Sequence, residues 1–240
     1  MAIQYTTTAA TTATQGVKCA VYGNSATGKT SSIATAPAPF IVAAEPGLLA
    51  LTRGNIQRMF GVDTPGIAYD IPVAKIESCV DLRAIHASFQ RREPWTTAFK
   101  TIALDSLSQI AEYELKYQMT QTPNGQKAYG QMADEVLDCI RLFMTLDGFN
   151  VIFTAKQAVS SASGLFSGSF PGQLLDFHFP FEFDEIFQMV LADNGSGGVT
   201  RYFRTVSDHK SFAKDRSGAL DVRGEFPNWS HVFQKISAVS

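Results

Sequence analysis

A chain of 240 residues, 45% of them hydrophobic, can bury a substantial core, and its length suits one α/β domain better than two. A formal net charge of −2 excludes the globally basic surface of a general nucleic-acid binder, so any DNA contact has to come from a local patch. Cys19, Cys79 and Cys139 lie far apart with no CxxC pair, which argues against a disulfide framework and a zinc site.

Residues 1–15 are dominated by Thr and Ala and carry no charged side chain, so a flexible N-terminal arm is expected there, with an ordered domain over residues 16–240. Val17 to Tyr22 reads as a buried strand, and the residues after Gly28 suit a helix that stops before Pro37. Phe40 to Ala44 is a second strand, closed by the turn Glu45-Pro46-Gly47, and Glu77 to Arg92 has helical spacing. Thr101 to Leu104 forms a strand that delivers Asp105. The helical spacing of Leu107 to Met119 ends at Thr122-Pro123-Asn124-Gly125, and Met132 to Leu146 is a second amphipathic helix. Val151 to Thr154 is the next strand. Ile186 to Leu191 and Val199 to Val206 flank the turn-rich segment 194–198 as a late β-hairpin. Strands alternating with helices predict an α/β fold, a mostly parallel sheet with helices on both faces.

The segment Gly23-Asn24-Ser25-Ala26-Thr27-Gly28-Lys29-Thr30 has the spacing of a P-loop. Glycine is needed where backbone N–H groups turn inward without Cβ clashes, and the helix that follows adds its positive N-terminal end. Lys29 reaches the terminal phosphates as a point charge, and the Thr30 hydroxyl suits one position on Mg²⁺. The loop therefore predicts a nucleoside triphosphate ligand, ATP with Mg²⁺. Asp105, at the C-terminal end of an apolar strand, is the candidate for holding the water shell of that cation. Glu45 ends the strand after the P-loop helix, and in a parallel sheet such strand ends line one crevice. It is either the carboxylate that orients an attacking water or a charged turn residue before Pro46.

Taken together, the P-loop, Phe40 to Glu45, Leu104-Asp105-Ser106 and Val151 to Gln157 resemble the RecA-like P-loop ATPases in order and spacing. More narrowly, the chain resembles phage-encoded RecA-like ATP-binding proteins of single-strand annealing and recombination. Lys127-Ala128-Tyr129-Gly130 before a long helix, Phe183 to Ile186 opening a hairpin, and Lys214-Asp215-Arg216 followed by Gly218 carry that likeness. The resemblance implies a Mg²⁺-dependent ATPase in a bacterial cytoplasm that acts on single-stranded DNA. It also implies a homo-oligomer with ATP at subunit interfaces and phage replication or recombination proteins as partners; no membrane is expected, because no apolar run approaches the roughly 18 residues needed to span a bilayer. It makes Glu45 the catalytic carboxylate, Gln157 or Lys156 the γ-phosphate sensor, and residues 160–173 a DNA-binding loop.

Within that loop, Phe166 and Phe170 either stack on bases or tuck into the protein. No Lys or Arg lies between Gln157 and Arg201, so this loop alone does not make a phosphate-tracking groove. Basic residues return in Arg201, Arg204, Lys210, Lys214, Arg216 and Arg223, either as a solvated face, as a nucleic-acid surface or, for Lys214 and Arg216, as a cationic finger reaching a neighbour's ATP site. Two other functions use the same P-loop. One is a small-molecule or nucleotide kinase, for which an arginine-bearing lid is not visible after Gln157. The other is a nucleotide-gated loader or scaffold with little turnover, against which only Glu45 argues.

Overall fold

A computed structural model describes residues 15–61, 65–195 and 197–239. The expected arm, apart from Gln15, lies outside these described residues, as does Ser196 of the hairpin turn.

Strand β1, Lys18–Gly23, is buried along its whole length and runs into the P-loop. Helix α1, Lys29–Ser32, continues as a 3₁₀ turn over Ile33–Thr35 and stops before Pro37, as the sequence predicts. β2 spans Pro39–Ala43, α2 Arg53–Phe60, β3 Val73–Lys75 and α3 Cys79–Gln90. β4, Thr101–Asp105, is followed by α4, Leu107–Gln121, and α5, Gly125–Met144. β5 covers Asn150–Val159, β6 Phe166–Gly168 and α6 Gln173–Glu182. β7, Glu185–Asp193, forms a hairpin with β8, Val199–Arg204, before the short β9, Lys214–Asp215, and α7, Trp229–Ser237.

The strands make one mixed, mostly parallel sheet in the order β3-β2-β4-β5-β1-β7-β8, with β6 on β5 and β9 on β7. β1 pairs in parallel with β5 from Lys18↔Val151 to Gly23↔Lys156, and with β7 from Cys19↔Glu185 to Tyr22↔Gln188. β2 pairs in parallel with β3 and β4, and β4 with β5. The central strands read as near-continuous apolar runs because both sheet faces are covered. On one face pack Leu82 and Phe89 of α3, Ile110 of α4, Val136 and Phe143 of α5, and Phe179 of α6. On the other, Ile33 meets Trp229, Val232 and Phe233 of α7. Among the described residues no helix is long and apolar enough to cross a membrane.

The structure corrects three expectations. α5 begins at Gly125, so Lys127 to Gly130 lies within its first turns rather than before it: the Asn124 side chain accepts from Lys127 N and caps the helix there. β5 runs to Val159 instead of Thr154, because β6 folds back antiparallel on it from Gln157↔Gly168 to Val159↔Phe166. That pairing also organises the expected mobile loop. Phe166 and Phe170 are half-buried and pack against the core, Phe170 with its ring 5.0 Å from Phe179.

Candidate functional site

The parallel topology brings the C-terminal ends of β1, β2, β4 and β5 to one edge, where a cleft of about 880 Å³ opens. Its walls include Gly23, Lys29, Thr30, Glu45, Asp105 and Gln157. The P-loop holds its own shape: Thr27 Oγ1 donates to Asn24 O at 2.9 Å, and Gly28 sits at φ +106°, where a side chain would be strained. Lys29 Nζ donates to Gly23 O (2.8 Å) and Asn24 O (2.9 Å), resting on loop carbonyls. Burial pulls its pKa down, while the nearby Asp105 and Glu45 carboxylates oppose that shift.

Asp105 is buried, with both carboxylate oxygens occupied. Thr30 Oγ1 donates to Oδ2 at 2.8 Å, and the Thr154 hydroxyl donates to Oδ1. Burial pushes its pKa up, and the two threonine bonds pull it back. The ends of β2 and β4 are tied by Ala44 N donating to Asp105 O at 2.8 Å, and Tyr113 of α4 donates to Ala44 O at 3.1 Å. That bracing sets Glu45 beside the site: its Oε1 accepts from Ser106 Oγ at 2.5 Å and stands 4.0 Å from Lys156 Nζ. The backbone bends over residues 44–46, and Glu45 lines the cleft.

β5 presents both sensor candidates to the cleft, with different partners. Lys156 Nζ reaches Glu112 at 2.9 Å and Gln109 at 3.3 Å, on α4. Gln157 accepts from Gln188 Nε2 at 3.0 Å. Gln188 in turn accepts from Arg204, whose guanidinium pairs with Asp208 at 2.6 Å. A polar chain thus leads from the cleft across β7 and β8 to the segment after the hairpin.

Lys214 and Arg216 are not brought to this cleft. β9 pairs with the first residues of β7, at the opposite sheet edge, through Glu185↔Asp215 and Ile186↔Lys214. Lys214 Nζ donates to Pro180 O and Arg216 pairs with Asp184. Arg201 of β8 lines the cleft and donates from Nε to Thr27 O at 3.2 Å. Asn55, Arg58 and Met59 of α2 form the same wall. Asn55, Arg58 and Met59 carry no site signal in the sequence, and Arg201 stands out there only as the first member of a basic stretch. α2 gave no readable pattern, and residues 201 and 27 meet only because β7 lies beside β1. Among the described residues no group of three or more His, Cys, Asp and Glu side chains forms a metal cage.

No curated protein matches the chain. A family model described as an AAA domain matches residues 15–217, a span that holds the P-loop, every strand of the sheet and all the helices except α7. With the P-loop, Asp105 and Glu45 converging at one sheet edge inside that span, the chain belongs to the AAA domain family and carries an AAA-type P-loop ATPase domain.

Proposed function

We propose that residues 16–240 form a Mg²⁺-dependent, RecA-like ATPase whose nucleotide state governs action on single-stranded DNA in phage recombination or annealing. The observation that carries the hydrolytic part is the convergence of Lys29, Thr30, Asp105 and Glu45 on one cleft. Lys29 gives up its loop carbonyls to the terminal phosphates. Glu45, oriented by Ser106, takes the position from which a carboxylate aligns an attacking water and accepts its proton.

The adjoining Thr30 hydroxyl and Asp105 carboxylate suit Mg²⁺, a hard cation that keeps several waters and completes its shell with phosphate oxygens rather than a protein cage. When bound, it neutralises charge on the phosphates. Asp105 fits the role of holding its water shell, with Thr154 fixing the other carboxylate oxygen.

The DNA part of the reading rests on the RecA resemblance and on the continuity of β5 from Gln157 into residues 160–173. Ser160 and Ser161 bond Asp176 of α6, so a shift at Gln157 has a short path into that segment. A turnover assay with and without single-stranded DNA tests the proposal. Phosphate release that DNA stimulates, and that Lys29→Ala abolishes, is the expected result. A requirement for a small acceptor points to a kinase, and nucleotide binding without turnover points to a loader or scaffold.

A further inference from the structure

The cleft has two chemically different ends. Lys29, Thr30, Glu45, Asp105, Lys156 and Gln157 occupy one, and these are the groups a terminal phosphate and its cation require. At the other end α2 and β8 approach each other over the P-loop. A Cβ placed on Gly28 would stand 3.1 Å from Met59 Sδ and 3.5 Å from Arg201 Cδ, so both side chains close on the same point of the loop. The bond from Arg201 Nε to Thr27 O fixes the guanidinium plane beside the loop. Among the described residues no carboxylate pairs with Arg201. Leu49, which also lines the cleft, is an apolar side chain left 83% exposed.

A triphosphate seated on the P-loop with its terminal group at the acidic end must direct its nucleoside toward this second end. We propose that the nucleobase lies on the Arg201 guanidinium, with Met59 and Leu49 as its apolar walls, and that Arg201 is the residue that holds it. This rests on the nucleotide reading above and adds the ligand's other half. A planar guanidinium stacks on an aromatic ring, and a thioether makes favourable contacts with one.

The same surroundings decide selectivity. The acids that line the cleft, Glu45 and Asp105, stand at the phosphate end. At the base end the amide nitrogen of Asn55 is already engaged with Ser31 Oγ (3.2 Å) and Ala50 O (2.7 Å). Such a site grips the face of a ring and reads little of its edge, so it takes purine nucleoside triphosphates of either kind.

Equilibrium binding of ATP, GTP and inorganic tripolyphosphate to the full chain tests this. The wild-type protein should bind ATP and GTP within about threefold of each other, and both about tenfold or more tighter than tripolyphosphate, the size of one desolvated stacking contact. Arg201→Ala should lose most of that advantage, with ATP and GTP affinity falling about fivefold or more beyond any loss of tripolyphosphate affinity, and the tripolyphosphate binding that remains shows that the P-loop is still folded. Arg201→Lys, which keeps the charge and removes the plane, should behave as Arg201→Ala does.

Three outcomes overturn the base subsite alone: equal loss of tripolyphosphate affinity, full rescue by lysine, or no loss in either variant. A preference of about a hundredfold for one purine overturns its selectivity. Failure of the wild-type protein to bind any of the three ligands overturns the nucleotide reading, and the subsite falls with it.

Discussion

The Glu45 carboxylate, to which the proposed hydrolysis assigns the attacking water, is braced from two sides, by the Ser106 hydroxyl and the more distant Lys156 ammonium. Lys156 is itself shared with Glu112 and Gln109, so its charge is not committed to Glu45. Glu45→Gln keeps the shape and the Ser106 contact but cannot accept a proton. We expect it to bind ATP as the wild-type protein does and to lose about 10²–10³-fold in turnover, the usual weight of a positioned acid–base group. Pre-steady-state and steady-state phosphate release would read this directly; wild-type turnover would return Glu45 to a turn residue. The P-loop, Asp105 and Glu45 were all legible as residues, because each sits next to its own local signal: glycine spacing, an apolar strand, a proline turn. Lys156 and Gln157 were legible only as alternatives. Their different partners, α4 for one and β7 for the other, are set by strand packing and leave no mark at positions 156 and 157 themselves.

Among the elements, β7 and β9 meet in an acid-rich pairing. Glu185 and Asp215 stand opposite each other in the antiparallel register, and Glu185 is buried with its Oε1 accepting from Ser217 N. Burial, reinforced by the Asp215 and Asp184 carboxylates, pushes the Glu185 carboxyl from its ordinary 4.5 up to about 8. The sign follows from proton counting. Between those values the folded chain holds a proton that the unfolded chain has released, so the contribution is complete below 4.5 and lost as pH rises through about 8. Thermal midpoints of the wild-type protein should therefore fall from about pH 6 to about pH 8, below the range in which the lowered Lys18 acts with the opposite sign, and Glu185→Gln, which cannot ionise, should flatten that fall. An identical slope in the variant would assign it to other groups. Lys18 and Cys19 of β1, Lys214 of β9 and Arg216 stand near the same sheet edge. Cys19, whose thiol is pushed up by burial and by Glu185, stays protonated across this range. Period-2 and period-3.6 patterning located most of these elements. It missed α2 and the short strands β3, β6 and β9, as well as α6 and α7, whose apolar positions are interrupted by Pro180 or follow a turn-rich stretch, and it placed the start of α5 seven residues late because Asn124 caps it.

For the molecule as a whole, the open question is where positive charge opposite the γ-phosphate comes from. Lys214 and Arg216 lie at the sheet edge away from their own P-loop, held by Pro180 O and Asp184, so they can serve an ATP site only if it belongs to a neighbouring copy. In a shared-site assembly, mixing Lys29→Ala protein with Lys214→Ala/Arg216→Ala protein should restore part of the activity that each lacks alone. Full turnover by the double variant, or by a strictly monomeric preparation, would leave Lys29 and Lys156, at the phosphate end of the cleft, as the cations supplied within one chain.

By itself the sequence determined the phosphate-binding chemistry and the α/β class, because a P-loop and an apolar strand ending in an acid are local signals spanning eight residues or fewer. Only the tertiary structure decided which distant groups complete the cleft. Arg201 reaches Thr27 because β7 pairs with β1, Lys156 joins α4 because β5 lies between β1 and β4, and Phe166 turns inward because β6 folds back on β5. Those contacts depend on which strands become neighbours, a choice made by burial over the whole sheet and not by the residues on either side of each position.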